Sequence, residues 1–115
     1  MLVVDDNRDA ADSLEMILKI LGAEVRVARD GLEALEALPD YDPEIVLLDI
    51  GMPGMDGYEV ARRIRARSPG PRPAIVALTG WGQEQDRREA RAAGFDRHLV
   101  KPAEIDALKA LLTSL

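Results

Sequence analysis

The segment Glu44-Ile45-Val46-Leu47-Leu48-Asp49 sets four large apolar residues in a row and ends them with a carboxylate. A run this short and this apolar reads as a strand covered on both faces, and such strands belong to parallel sheets flanked by helices. The residues that follow, Gly51-Met52-Pro53-Gly54-Met55-Asp56-Gly57, carry too much Gly and Pro to prolong strand or helix. Asp49 is thereby predicted at the carboxyl end of a central strand, the edge where open α/β sheets build their ligand crevices.

The rest of the chain repeats that theme. Leu2 to Val4 reads as a first strand ending in Asp5-Asp6. Asn7 or Asp9 can cap a helix carrying Ala10, Leu14, Ile17, Leu18 and Leu21 at helical spacing, stopped by Gly22. Glu24 to Ala28 alternates polar and apolar residues, as an edge strand would. Asp30 and Glu33 then form a capping pair before Leu32, Leu35 and Leu38, with Pro39 as the stop. After the Gly/Pro loop, Tyr58 to Arg67 is a helix with Val60, Ala61 and Ile64 inward and Arg62, Arg63, Arg65 and Arg67 largely outward.

Ser68 to Pro73 is a connecting turn, and Ala74 to Leu78 a fourth apolar strand ending in Thr79-Gly80. The helix from Gln83 to Ala93 has only Ala90, Ala92 and Ala93 to bury, which places it at the low-stability end of the domain. Gly94 stops it. Arg97 to Val100 is a fifth strand, followed by Lys101-Pro102 and a last helix with Ile105, Leu108, Leu111, Leu112 and Leu115 on one face. Strands alternating with helices over short connections predict one α/β domain, with a parallel sheet covered by helices on both faces and right-handed crossovers.

Composition narrows the function. The chain has 115 residues, enough for a single domain (1–115) with a working core, and its four aromatic residues leave that core to aliphatic side chains. A net charge of −6 argues against direct binding to nucleic acid and suits a site built from carboxylates. With no Cys there are neither disulfides nor thiolate zinc sites, and one His makes no histidine cage. No stretch approaches the roughly 20 apolar residues of a membrane span, and the expected location is the cytoplasm. A core strand that begins at once with Met1-Leu2-Val3-Val4 raises the expectation that the chain is excised from a longer one.

In a parallel sheet the carboxyl ends of all strands share one edge. There the sequence puts Asp5 and Asp6 after the first strand, Asp49 after the third, Thr79 after the fourth and Lys101 after the fifth. Singly these read as helix caps, a strand-end hydroxyl and a surface charge. Together the carboxylates repel one another, a conflict that a divalent cation removes; Mg2+, which takes oxygen ligands and keeps several waters, is the natural candidate. A cation, an ammonium group and a hydroxyl around one carboxylate suit phosphoryl transfer with Asp49 as nucleophile.

The motifs VVDDN (Val3 to Asn7), LLDIGMPGMDGYE (Leu47 to Glu59), ALTG (Ala77 to Gly80) and LVKP (Leu99 to Pro102) resemble the receiver domain of bacterial two-component response regulators, over essentially the whole chain. The resemblance implies a flavodoxin-like (βα)5 three-layer sandwich with strand order 2-1-3-4-5. It implies Asp49 as phosphoacceptor, taking phosphate from a sensor histidine kinase or a histidine phosphotransfer domain. Mg2+ would be held by Asp5, Asp6, Asp49 and the backbone carbonyl of Gly51. Thr79 and Lys101 would bind the phosphoryl oxygens, Thr79 as the switching hydroxyl, with a cis Lys101–Pro102 peptide. The readout surface would run from about Gln83 to Leu115, and the domain would be a monomer or weak dimer acting on a partner or fused effector.

Against that pattern, His98 stands where relatives carry Tyr or Phe, and reads as a weaker switch partner or as a half-exposed strand residue. Gly51 and Trp81 hold positions that tune phosphate lifetime in the family; Trp81 would shield the acyl phosphate or pack on its own loop. The tract from Gly80 to Asp96 looks most like receivers fused to sensor kinases or found in chemotaxis assemblies. Other readings are a receiver-like interaction domain without phosphorylation, a flavin binder, and an aspartate-nucleophile phosphatase of the haloacid dehalogenase type. The last needs a second Asp two residues past the nucleophile, where this chain has Gly51.

Overall fold

The computed structural model describes residues 1–38, 40–52, 57–67, 73–79, 91–100 and 103–114. The elements are β1 (Leu2–Val4), α1 (Arg8–Ile20), β2 (Arg26–Ala28), α2 (Gly31–Ala37), β3 (Ile45–Asp49), α3 (Gly57–Arg67), β4 (Ala74–Thr79), β5 (Arg97–Val100) and a C-terminal helix (Ile105–Ser114). Residues 91–93 are also helical. All strand pairs are parallel, in the order β2-β1-β3-β4-β5. This is the flavodoxin-like topology, with β3 in the middle and β2 at an edge.

The apolar runs are explained by two cores, one on each face of the sheet. Leu2, Val4, Val46, Leu48, Ile75 and Ala77 pack toward α2 and α3, against Leu35, Val60 and Ile64. The residues between them, Val3, Ile45, Leu47, Val76 and Leu78, pack toward α1 and the C-terminal helix, against Leu14, Leu18, Leu108 and Leu111. Successive strand side chains point to opposite faces, so a strand with a helix layer on each side must be apolar at every position. Each fully buried Leu or Ile contributes about 1.5–3 kcal/mol relative to an exposed one.

Helix starts follow local chemistry. Asn7 caps α1, its side-chain oxygen accepting the Ala10 N–H at 3.0 Å, and Asp30 caps α2 by accepting the Glu33 N–H at 2.8 Å. Gly22 (φ +96°) and Gly94 (φ +111°) take the left-handed conformation that an L side chain resists. On α3, Glu59 pairs with Arg63 at 2.9 Å and Arg62 at 3.3 Å, and these hydrogen bonds hold its carboxyl below the usual range.

Four expectations change. The second strand is Arg26–Ala28 rather than Glu24 to Ala28, because the three-residue β1 offers partners only from Leu2 to Val4. α3 begins at Gly57, one residue early. Leu32 is 59% exposed: α2 buries Gly31, Ala34 and Leu35, and Leu32 lies roughly 100° around the helix from Gly31. Ile105, first in its helix, is 51% exposed. Pro39, Ser68 to Arg72, Gly80 to Ala90 and Leu115 lie outside the described residues, with most of the helix expected from Gln83. Among the described residues no helix is long and apolar enough to cross a membrane.

Candidate functional site

β1 and β3 are hydrogen-bonded neighbours in register, Val4 against Leu48. The residues just past that pair, Asp5 and Asp49, therefore emerge side by side at the carboxyl edge. Asp5 is fully buried and Asp49 is 7% exposed. Asp6, the next residue along, is exposed. One carboxylate oxygen from each of Asp5, Asp6 and Asp49 lies within 4.8 Å of the others. Three anions at this spacing, two of them sheltered from water, favour a hard divalent cation that takes oxygen ligands.

Backbone groups orient the two buried carboxylates. The Asn7 N–H donates to Asp5 Oδ1 at 2.9 Å, and the Gly51 N–H donates to Asp49 Oδ1 at 2.9 Å. The main chain around them is anchored too: the Asp5 N–H donates to the Ala28 carbonyl at 3.1 Å and the Ile50 N–H to the Leu78 carbonyl at 3.2 Å. Ladder bonds thus continue one residue beyond β1 and β3, which keeps the carboxylate stems on the rigid sheet rather than on a free loop.

Thr79 ends β4, next to β3, and is 4% exposed. Its register neighbour on β5 is Val100, and its hydroxyl donates to the Leu99 carbonyl at 3.4 Å, a long bond that a better acceptor would readily replace. His98 lies on β5 opposite Ala77 and is half-buried. Lys101, Pro102 and Trp81 fall outside the described residues.

Two residues that the sequence reading gave no part in the site shape it. Asn7, a predicted helix cap and the last residue of the VVDDN motif, also holds Asp5 through its backbone N–H. Gly57 opens α3 directly against the Asp49 turn: a Cβ there would stand 2.5 Å from Ile50 Cα and 2.9 Å from the Asp49 carbonyl oxygen. Its place at the end of the Gly/Pro loop was the available signal. Gly57→Ala is predicted to cost about 1–3 kcal/mol in chemical denaturation, since backbone rather than a flexible side chain must yield. Gly51→Ala is the contrast: its Cβ would sit 3.5 Å from Asp49 Oδ1, an ordinary contact, and its effect on stability should stay within about 0.5 kcal/mol.

Comparison with known proteins places this arrangement. The model of the response regulator receiver domain matches residues 1–113. An uncharacterized 14.6 kDa protein of Leptolyngbya boryana is 39% identical over 104 residues, covering 90% of this chain and 79% of its relative. Response regulator MprA of Mycobacterium sp. (strain KMS) is 38% identical across 100% of this chain, which spans only 49% of MprA. The chain is thus about half the length of the MprA relatives it matches. Among solved structures, the chemotaxis protein CheY4 of Vibrio cholerae superposes with a TM-score of 0.90 at 31% identity, covering 99% of this chain and 96% of CheY4. The receiver domain of NtrX from Brucella abortus follows with a TM-score of 0.89 at 32% identity, covering 97% of this chain and 93% of that domain. With a parallel sheet of this order, acidic residues gathered at its carboxyl edge and a family match along nearly its whole length, the chain belongs to the response regulator receiver domain family.

Proposed function

We propose that Asp49 is the phosphoacceptor of a two-component phosphorelay, charged by the phosphohistidine of a sensor histidine kinase or a histidine phosphotransfer domain. The observation that carries this reading is the convergence of Asp5, Asp6 and Asp49 within 4.8 Å at the strand edge where Thr79 also ends. In the transfer, an Asp49 carboxylate oxygen forms a bond to phosphorus while the bond from phosphorus to the histidine nitrogen breaks, its electron pair returning to the imidazole. The oxygen donors of Asp5, Asp6 and Asp49 fit Mg2+, which when bound would neutralise charge on the phosphoryl oxygens, with the Gly51 carbonyl as a further donor that the family resemblance implies. Lys101 supplies a second positive charge, as the family resemblance implies.

Thr79 then exchanges its bond to the Leu99 carbonyl for a phosphoryl oxygen. The exchange shifts the population of the β4–β5 side of the domain toward the state that a partner or fused domain reads. Such a module acts only on its own phosphorylation state, within the cytoplasm where histidine kinases deliver phosphate, and residues 1–115 serve as its single receiver unit.

The test is intact-mass measurement after incubation with Mg2+ and a small acyl phosphate. The chain should gain one phosphoryl mass, and a chelator should prevent it; a chain that stays unlabelled at saturating Mg2+ would overturn the reading. Metal binding has its own signature. Free Mg2+ at about 100 times its dissociation constant should stabilise the fold by about 2.7 kcal/mol, raising the thermal midpoint. Asp6→Asn, which changes an exposed ligand without opening the core, should remove most of that increment and leave the metal-free midpoint nearly unchanged.

A further inference from the structure

The helical pattern of α3 predicts a largely outward Arg65, but its side chain is folded back into the molecule. Its side chain is 19% exposed and reaches three acceptors. Nε donates to the Gly94 carbonyl at 3.1 Å, one terminal nitrogen to the Pro73 carbonyl at 2.7 Å, and the other to Asp96 Oδ2 at 2.6 Å. Asp96 Oδ2 also accepts the Ile75 N–H at 2.8 Å, while the Asp96 N–H donates to the Ile75 carbonyl at 2.7 Å. Gly94 is the seat for the arginine stem: a Cβ there would stand 2.5 Å from Arg65 Cγ. One planar guanidinium therefore ties the end of α3 to the start of β4 and to the chain entering β5. An ammonium group on a flexible stem lacks the fork to span all three acceptors.

The other end of α3 abuts the proposed phosphoacceptor, with Gly57 against Ile50 and the Asp49 carbonyl. α3 thus runs from the site to the clamp as one rigid element.

We propose that Arg65 is a positioning residue that makes residues 94–97 and the start of β4 the fixed end of the switch. A rearrangement that begins at Thr79, beside Val100, is then confined to the carboxyl ends of β4 and β5 and does not reach 94–97. This deepens the phosphorylation reading and rests on it for the word switch, whereas the clamp itself can be read in the resting protein.

The test is amide exchange on the full chain, with and without Mg2+ and a small acyl phosphate, for wild type, Arg65→Gln, Arg65→Lys and Asp96→Asn. At rest, the Ile75 and Asp96 amides should lose about tenfold protection in Arg65→Gln, the scale of a lost charge-assisted hydrogen bond. Arg65→Lys should not restore it. On phosphorylation, exchange across 94–97 should change by less than about twofold in wild type and by about fivefold or more in the variants, with Asp49 labelling retained.

A purely structural arginine would shift the resting pattern without creating a phosphorylation response at 94–97. That result overturns the proposal, as does a wild type that responds there as strongly as the variants. Unchanged resting protection in Arg65→Gln and Asp96→Asn overturns it as well. If wild type takes no label, the phosphorylation reading fails, and the resting comparison alone decides the clamp.

Discussion

Asp49→Asn should leave the chain unlabelled by a small acyl phosphate in Mg2+, with the intact mass unchanged under conditions that convert wild type to the phosphorylated form. The substituted amide is close in shape to the carboxylate, so the fold should survive. The Gly51 N–H can still donate to an amide oxygen where it now meets Asp49 Oδ1 at 2.9 Å. What disappears is the nucleophile: an amide oxygen carries no full negative charge, and the proposed roles of Asp5 and Asp6 are those of metal ligands. Removing one of three crowded carboxylates also relieves their repulsion, so metal-free Asp49→Asn should be as stable as wild type or slightly more so. Loss of labelling together with loss of fold would point to a structural role, and retained labelling would move the acceptor to another residue.

The second large effect is expected in the middle of the sheet. Leu48 is fully buried on β3, in the layer shared with α2 and α3. Leu48→Ala should destabilise by about 2–5 kcal/mol, the sum of lost transfer energy and the cavity left behind. Against a total stability of about 5–15 kcal/mol this is a large fraction, so the denaturant midpoint should fall steeply. Leu32→Ser should move it by less than about 0.5 kcal/mol, because Leu32 is 59% exposed. The pair distinguishes apolar residues that the sheet covers from those that merely follow the helical pattern. Equal effects at the two positions would mean that the burial described for α2 is wrong.

Leu32 also shows where reading the chain by pattern reached its end. Helical spacing identifies a stripe, but a seven-residue helix has room for only part of it, and the arc that meets the sheet is chosen by the neighbouring elements. The same holds for Glu24 and Val25: their alternation suits a strand, but the ladder with β1 begins at Arg26, and the Glu24 carbonyl accepts instead from the Met1 amino group at 2.7 Å. Strand edges were more legible: the polar alternation around Val27 marked β2 as peripheral, and it is an edge strand.

What the sequence by itself determined was the alternation of the elements, the doubly covered strands and the carboxylates that end them. Uninterrupted apolar runs leave a strand no wet face, and parallel strands bring their carboxyl ends to one edge without further instruction. The tertiary structure alone decided which small residues and cations support that edge. Gly57 is pressed between α3 and the Asp49 turn, and Arg65 is drawn inward by acceptors 8, 29 and 31 residues away. Sequence periodicity reports which face of an element is apolar. It carries no information about close backbone approaches or buried acceptors contributed by distant segments, and those exist only once the layers have packed.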